Sequence, residues 1–476
     1  MNKDLIMDIE ESPKKISQWI LFAVQHILAM LVACITVPLI TGLPIGPTLV
    51  AAGIGSLIYI FTTKKKSPVF LSSSFAYLAP MSTALTLGMV DDGRNYWALI
   101  LGMALVGVVY VTIALIIKAV GTKWLNKLLP PVVIGPIIMV IGLSLAGSAI
   151  NNVVGGTAGI AGYAGDALPW QYTMVSVVVA LFACVLTAIC ATSKKQNITL
   201  IPFVIGMLGA YCFAAILTGI GHLASVEWLK VVDFSVFNKD WSALSSWITT
   251  DFLFISAFKQ TAEFTWGTVG QVALLFIPVS LVTICEHIGD HKNLGNIVGR
   301  DLLDQEPGLT RTLIGDGVAT AVSGALCGAA NTTYGENVAV VGVSKIASVS
   351  VIILAASLSV VLGFFAPLTT LLSTIPACIT GGVSLILYGF IASSGVKMLI
   401  KEQVDFSNTR NIVIASVILV CGIGGLAFYF GGAAGSYIVT ISSTAVAMIL
   451  GIVLNLCLKD NTPKQEEAIQ ETQKEE

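Results

Sequence analysis

Residues 285–291 read CEHIGDH and place Glu286, His287, Asp290 and His291 directly after VALLFIPVSLVTI, a run without a charge. If the stretch is helical, Glu286 and Asp290 share one face and His287 and His291 the neighbouring one. Carboxyl groups in such a position accept hydrogen bonds from a ligand's N–H groups and take up or release protons. Histidines four apart could instead hold zinc, but a zinc site needs a third protein ligand, and neither His26 nor His222 has the company of one. The chain also offers no nucleophile paired with a base. The chemistry indicated is therefore binding and proton transfer, with no catalytic residue, no metal and no organic cofactor. A second polar stretch, CGAANTTYGENVAV at 327–340, adds Asn331, Thr332, Thr333, Tyr334, Gly335 and Glu336.

The elements around these groups are lipid-soluble. Of 476 residues 55% are hydrophobic and 11% charged, with a mean hydropathy of +0.88, whereas soluble domains carry about 25% charge. The fold class is an all-α polytopic membrane protein whose first partner is the lipid bilayer. Stretches near the ~20 apolar residues needed for a crossing begin near Ile16, Gly46, Trp97, Pro131, Gln171, Leu200, Val272, Ile352, Cys378, Ile412 and Tyr437. Shorter, less regular ones fill 68–90, 312–330 and 334–346, which gives about fourteen segments. An ionisable group at membrane depth costs about 2.5–3.5 kcal/mol or more, so the acids are functional candidates.

Lysines and arginines set the orientation. Lys64–Lys66, Lys118, Lys123, Lys127, Lys194, Lys195, Lys292, Arg300, Arg311, Lys397, Lys401 and Arg410 all follow even-numbered crossings. Cationic loops stay in the cytoplasm, so both termini are expected there, in a multi-pass inner-membrane protein. Residues 1–15 are charged and read as a cytoplasmic segment without a cleavable leader, and 459–476 as a disordered, acidic tail. Residues 222–270 are expected outside, with Trp228, Trp241, Trp247 and Trp266 suited to an interfacial, partly helical cap. The Gly-rich stretch 155–165 lacks a Lys-Ser/Thr ending and reads as an external loop. A formal net charge of -2 argues against a nucleic-acid partner. The nine cysteines lie singly in apolar runs and read as buried thiols.

The chain also repeats. QHILA at 25 matches EHIGD at 286, SSFA at 73 matches TTYG at 332, and PVVIGP at 131 matches PACITG at 376, in the same order and at nearly constant spacing. With seven segments in each half the two halves enter the membrane from opposite sides, which is the inverted organisation of many secondary transporters. The boundaries read as 16–223 for the first repeat, 224–270 for an extracellular connection and 271–458 for the second repeat. In each half the third segment is broken, by Ser72, Ser73, Ser74 and Pro80 in the first and by Asn331, Thr332, Thr333 and Gly335 in the second. Non-helical backbone at that depth must be paired within protein or line a cavity. Two short antiparallel strands at segments 3 and 10, each followed by a half-helix, satisfy this, and the half-helix N-termini turn N–H groups into the cavity.

EHIGDH, NTTYGENVAVVGVSK, QHILAMLVACITVP, SSSFAYLAP and GGVSLILYGFIASSG resemble, in order and spacing, the nucleobase/ascorbate transporter family, and its bacterial uracil permease branch most of all. At the ends of the family's signature, Ala339, Ser344 and Lys345 stand where Gly, Thr and Arg are usual. The resemblance implies fourteen segments in two inverted sevens, divided into core and gate domains. It implies a homodimeric, proton-coupled symporter working by sliding of core against gate. It assigns Glu286 and Glu336 to the substrate, and Phe75, Gly335, Ala33 and Tyr388 to the pocket. Uracil suits such a pocket: carboxylates accept from its two N–H groups, backbone N–H groups donate to its two carbonyls, and Phe75 or Tyr334 stacks on the ring. Glu286 and Glu336 then carry the coupled proton, tuned by Asp290. A purine or xanthine carrier of the same family is the alternative, and an anion transporter of the related inverted fold a more distant one, since two acids would repel an anion.

Overall fold

The computed structural model describes residues 5–87, 94–155, 169–199, 201–249, 252–259, 266–430 and 439–459. Most of the Gly-rich 155–165 stretch and all but the first residue of the 459–476 tail lie outside these. The first part of the chain forms α1 (Ile16–Thr41), α2 (Ile45–Thr62), β1 (Ser72–Ser73), α3 (Leu78–Thr86), α4 (Tyr96–Val120), α5 (Lys123–Leu128), α6 (Pro131–Ser144), α7 (Ala146–Val153), α8 (Trp170–Ala191), α9 (Gln196–Thr199) and α10 (Pro202–Ala224). Three short 3-10 turns and α11 (Leu253–Lys259) then lead into α12 (Trp266–Val298), α13 (Gly308–Ala325), β2 (Asn331–Thr332), α14 (Gly335–Ser344), α15 (Val349–Phe364), α16 (Ala366–Ser373), α17 (Ala377–Lys401), α18 (Thr409–Ile423), β3 (Phe428–Phe430), β4 (Val439–Ile441) and α19 (Ser443–Cys457). Among the described residues, eight helices are long and apolar enough to cross a membrane.

Local chemistry fixes many of the ends. α1 stops at Gly42, whose left-handed φ of 72° closes the helix with an N–H to Pro38 O. Pro131 and Pro202 stand in the first turn, where a missing N–H costs nothing. The side chains of Asn95, Asn408 and Ser442 cap α4, α18 and α19.

The two short strands pair antiparallel, Ser72 with Thr332 and Ser73 with Asn331. With two residues each they cannot satisfy their own flanks, so neighbouring side chains do. Ser56 Oγ accepts from Leu71 N (2.9 Å) and donates to Leu71 O (3.2 Å) or Ala52 O (2.7 Å). Thr320 Oγ1 donates to Asn331 O, Ser323 Oγ to Ala329 O, and Asn331 Nδ2 to Ala51 O. Hydroxyls inside α2 and α13 thus replace the water that an unwound backbone would need.

Packing sorts the helices into two groups. In one, α4 lies on α13, α2 on α13 and α15, and α1 on α14 and α15, with α12 against α4 and α14. In the other, α17 lies on α6, α7 and α8, α10 on α8, and α18 on α6 and α19. Contact between the groups is thinner and runs through α12 with α6 and α19, and α1 with α10. Within the first group α2 and α15 approach so closely that a Cβ on Gly53 would sit 2.5 Å from Ala356 O. On α8 the side chains of Met174, Val178, Leu181, Val185 and Ile189 face outward, as a lipid-facing stripe does.

Four features differ from what the sequence suggests. The shorter, less regular segment expected at 312–330 is a regular 18-residue helix, α13, that begins at Gly308 and ends at Ala325; Arg311, Asp316 and its glycines had masked its regularity. The last segment begins at Ser443, after the β3–β4 hairpin, and not near Tyr437, which lies outside the described residues. Helices α5 and α16 each precede a long span and were not foreseen. Finally, the N-terminal segment is docked: Ile6 N and Met7 N donate to Lys345 O, Ala347 N to Met7 O and Val349 N to Ile9 O, and Arg300 pairs with Asp8 and Glu10.

Candidate functional site

Glu286 and Asp290 on α12, Ser73–Phe75 at and after β1, Thr332 and Tyr334 at and after β2, and Gly335 and Glu336 at the start of α14 converge on one cavity of about 400 Å³. The extended backbone at Tyr334 ends the strand crossing and lets α14 begin at Gly335. Asn337 N and Val338 N bond back to Tyr334 O, which leaves the N–H groups of Gly335 and Glu336 at the positive helix end. A methyl at Gly335 would stand 3.5 Å from Asp290 Oδ1, so Asp290 lies against that end. Ile138, Ile141, Phe390 and Met398 supply an apolar wall from the other packing group. From the acids the cavity continues along α12 to Asn296 and along α17 to Lys397, Lys401 and then Glu402.

Glu286, Asp290 and Glu336 form no ion pair among the described residues. Of the cavity's lining residues, Ser74 Oγ, Asp290 Oδ2 and Tyr334 Oη are buried without a hydrogen-bond partner. Each such atom costs about 1–3 kcal/mol if nothing meets it. The cavity is therefore chemically suited to a ligand carrying both donors and acceptors, with Phe75 as an aromatic wall.

The residues singled out in the sequence do not all meet. Phe75, Glu286, Asp290, Tyr334, Gly335 and Glu336 line the cavity together. Tyr388 stands behind Phe75, edge-on with ring centroids 5.3 Å apart. Ala33 is not brought to the wall. It is fully buried in α1, whose next residue, Cys34, meets Ser72 Oγ at 3.4 Å, so that part of α1 is occupied by the strand crossing. His26 is an interhelical tie, its Nδ1–H donating to Asn337 Oδ1 at 2.7 Å and holding α1 to α14.

The histidine face of α12 serves a different network. His287 Nδ1–H donates to Asp316 Oδ2 at 2.7 Å, with both side chains fully buried. His291 Nδ1–H donates to His287 O, so its Nε2 accepts from Tyr59 Oη at 2.5 Å, and Tyr59 in turn meets Ser67 Oγ at 2.9 Å. The two imidazoles stack at 4.0 Å. No group of three His, Cys, Asp or Glu side chains suited to a metal occurs among the described residues. Sequence reasoning missed Asp316 and Tyr59. The available signal was a lone acid between Gly315 and Gly317, the residues that let α13 press against Tyr59 and Tyr110.

Comparison with known proteins agrees with this architecture. The family model described as "Permease family" matches residues 17–430. The chain is 38% identical over 475 residues to a uracil permease of Bacillus caldolyticus, covering 99% of each chain. It is 37% identical over 467 residues to that of Bacillus subtilis (strain 168), covering 97% of each. Against that of Escherichia coli (strain K12) the identity is 33% over 443 residues, covering 93% of this chain and 91% of the relative. Among solved structures, the transmembrane domain of the cyanobacterial bicarbonate transporter BicA superposes with a TM-score of 0.59 at 12% identity, covering 94% of this chain and 99% of that one. Murine Slc26a9, an anion transporter in the inward-facing state, gives 0.61 at 12% identity, covering 94% and 68%. At such identities these two share the fold alone.

Proposed function

The chain belongs to the Permease family, matched over residues 17–430, and from that membership we propose that it carries uracil with protons across the cytoplasmic membrane into the cell. One observation carries the reading: three carboxyl groups that form no ion pair among the described residues line a single cavity with the first turn of α14 and an aromatic wall, in a chain 38% identical to a uracil permease. Glu286 accepts a uracil N–H, Gly335 and Glu336 N–H groups donate to its carbonyls, and Phe75 stacks on the ring. Glu336, with Asp290 beside it, holds the coupled proton, because a site with uncompensated negative charge is costly to carry through the membrane. The coupling ion is the proton, and no other cofactor takes part.

On this reading the segments number fourteen, α1, α2, β1–α3, α4, α6–α7, α8 and α10, then α12, α13, β2–α14, α15, α17, α18 and α19. Paired packing supports an inverted repeat: α4 on α13 mirrors α15 on α2, α8 on α17 mirrors α18 on α6, and α1 on α10 mirrors α12 on α19. The first packing group is the core that holds substrate and the second the gate against which it slides, in a homodimer. The cavity extends from the acids to Lys397 and Lys401, the side that lysine placement assigns to the cytoplasm, which supports reading this form as inward-facing.

Uptake of labelled uracil into proteoliposomes under an imposed pH gradient tests this. Accumulation competed by unlabelled uracil and not by xanthine or uric acid is the expected result. Equal competition by xanthine moves the substrate to the purines, and a chloride current without uracil flux replaces the reading by anion transport.

A further inference from the structure

Lys292 Nζ meets Glu402 Oε2 at 3.4 Å. Lys292 is on α12, in the first packing group, whereas Glu402 caps the end of α17, in the second. The pairs of Lys64 and Lys66 with Glu306, and of Arg300 with Asp8 and Glu10, stay by contrast on the side of the first group. Both Lys292 and Glu402 line the cavity that holds the acids, and both also line a second cavity of about 550 Å³ that runs past His291 to Arg300 and Asp304. With Asn296 they form the wall common to the two. The pair is thus a bridge between the groups and part of the wall between the two cavities.

We propose that Lys292 and Glu402 form a latch between the two packing groups at the wall of the substrate cavity, made in the inward-facing form described here and broken when the groups slide past each other. This rests on the sliding of core against gate set out above. The side chains are 29% and 32% exposed, so water replaces each partner readily and the latch biases the equilibrium without trapping it. An ion pair of this exposure is worth enough to shift two populations by about twofold to fivefold. Because either neutral substitution breaks the same contact, Lys292→Gln and Glu402→Gln have the same effect singly and together. Lys292→Glu sets two acids side by side and exceeds both. The exchange of charges, Lys292→Glu with Glu402→Lys, restores the original bias.

The test uses the full chain in inside-out membrane vesicles, with all nine native cysteines replaced by serine or alanine and a single reporter, Ser394→Cys, in the exposed cavity wall. The rate of labelling by an impermeant thiol reagent, without substrate, reads the fraction open to that side. The latch predicts labelling about twofold to fivefold slower in each single variant and wild-type rates in the charge exchange. Wild-type labelling should also slow toward the variant rate at about 1 M salt, where charges more than ~3 Å apart are screened; this arm stands even if a variant fails to insert. Equal rates in all variants and at all salt concentrations overturn the latch. Uracil flux measured on the same vesicles separates the two claims: swap-reversible labelling without uracil flux removes the transport reading and leaves the latch.

Discussion

Two faces of α12, less than a turn apart, carry similar residues to opposite ends. On one, Glu286 and Asp290 are half-buried beside a cavity and form no ion pair among the described residues. On the other, His287 and His291 are fully buried against α2 and α13, where Asp316, Tyr59 and a backbone carbonyl meet three of their four ring nitrogens. The difference lies in what the rest of the fold brings up to each face. His287 Nε2 and Asp316 Oδ1 stay without a partner, yet the bonds made to Tyr59 and Asp316 tie α12 to α2 and α13, whereas the carboxyl groups on the other face keep their capacity for a ligand or a proton. The contrast ties the histidines to the packing of α12 and leaves the acids facing the cavity, where the proposed function places substrate.

The largest effect on folding should come from breaking the histidine face. Asp316→Ala leaves the His287 donor buried and unmet, so the protein is expected to lose up to about 3 kcal/mol of stability, read as a lower melting temperature in detergent; an unchanged melt would place Asp316 outside the structural network. On the open face the consequences reverse. Glu286→Ala should melt like wild type yet lose saturable uracil binding by roughly 1–3 kcal/mol, about fivefold to 150-fold in affinity. A large loss of stability with normal affinity would erase the distinction between the faces.

Glu336→Gln imitates a protonated carboxyl, so exchange of uracil for uracil should persist while accumulation driven by a pH gradient fails. Retained gradient-driven accumulation would move the proton to another group. Smallest of all is the response of an acid that is paired but lies in water. Glu306, between α12 and α13, is held down to about 2 by hydrogen bonds from Lys66 and Lys64 and by their charges. A depressed carboxyl contributes above its ordinary value near 4.5 and loses that contribution only as pH falls through about 2. Glu306→Gln should therefore leave the melting temperature constant from pH 6 to 8, relative to wild type, with any difference vanishing in stronger acid. A difference that grew with acidity would require another partner.

The acids were legible in the sequence because a charge within an apolar run stands out, and the broken segments because serine, threonine and glycine cluster there. The pairing of Ser72 with Thr332 was foreseeable because unwound backbone at membrane depth has few ways to be satisfied. Asp316 was hidden by its own helix, whose arginine and glycines blurred the apolar signal, and its partner His287 is 29 positions away. The docking of Met7 beside Ile346 and the bridge from Lys292 to Glu402 join distant positions with no local pattern to announce them. Ala33 is buried away from the cavity lining for a related reason: helix position follows from periodicity, but which face meets a cavity depends on neighbours such as Ser72.

The strand crossing also imposes an order of events on biosynthesis. Ser72 and Ser73 leave the ribosome long before Asn331 and Thr332, the residues that complete them. At typical elongation rates of 5–20 residues per second, the intervening stretch of roughly 260 residues takes about 13–50 s to make. Throughout that interval the first half holds an unpaired strand edge at membrane depth. The insertion machinery, or a transient partner within the unfinished chain, must shelter it until the second half arrives, and a nascent chain arrested before Asn331 should be a preferred target for membrane quality-control proteases.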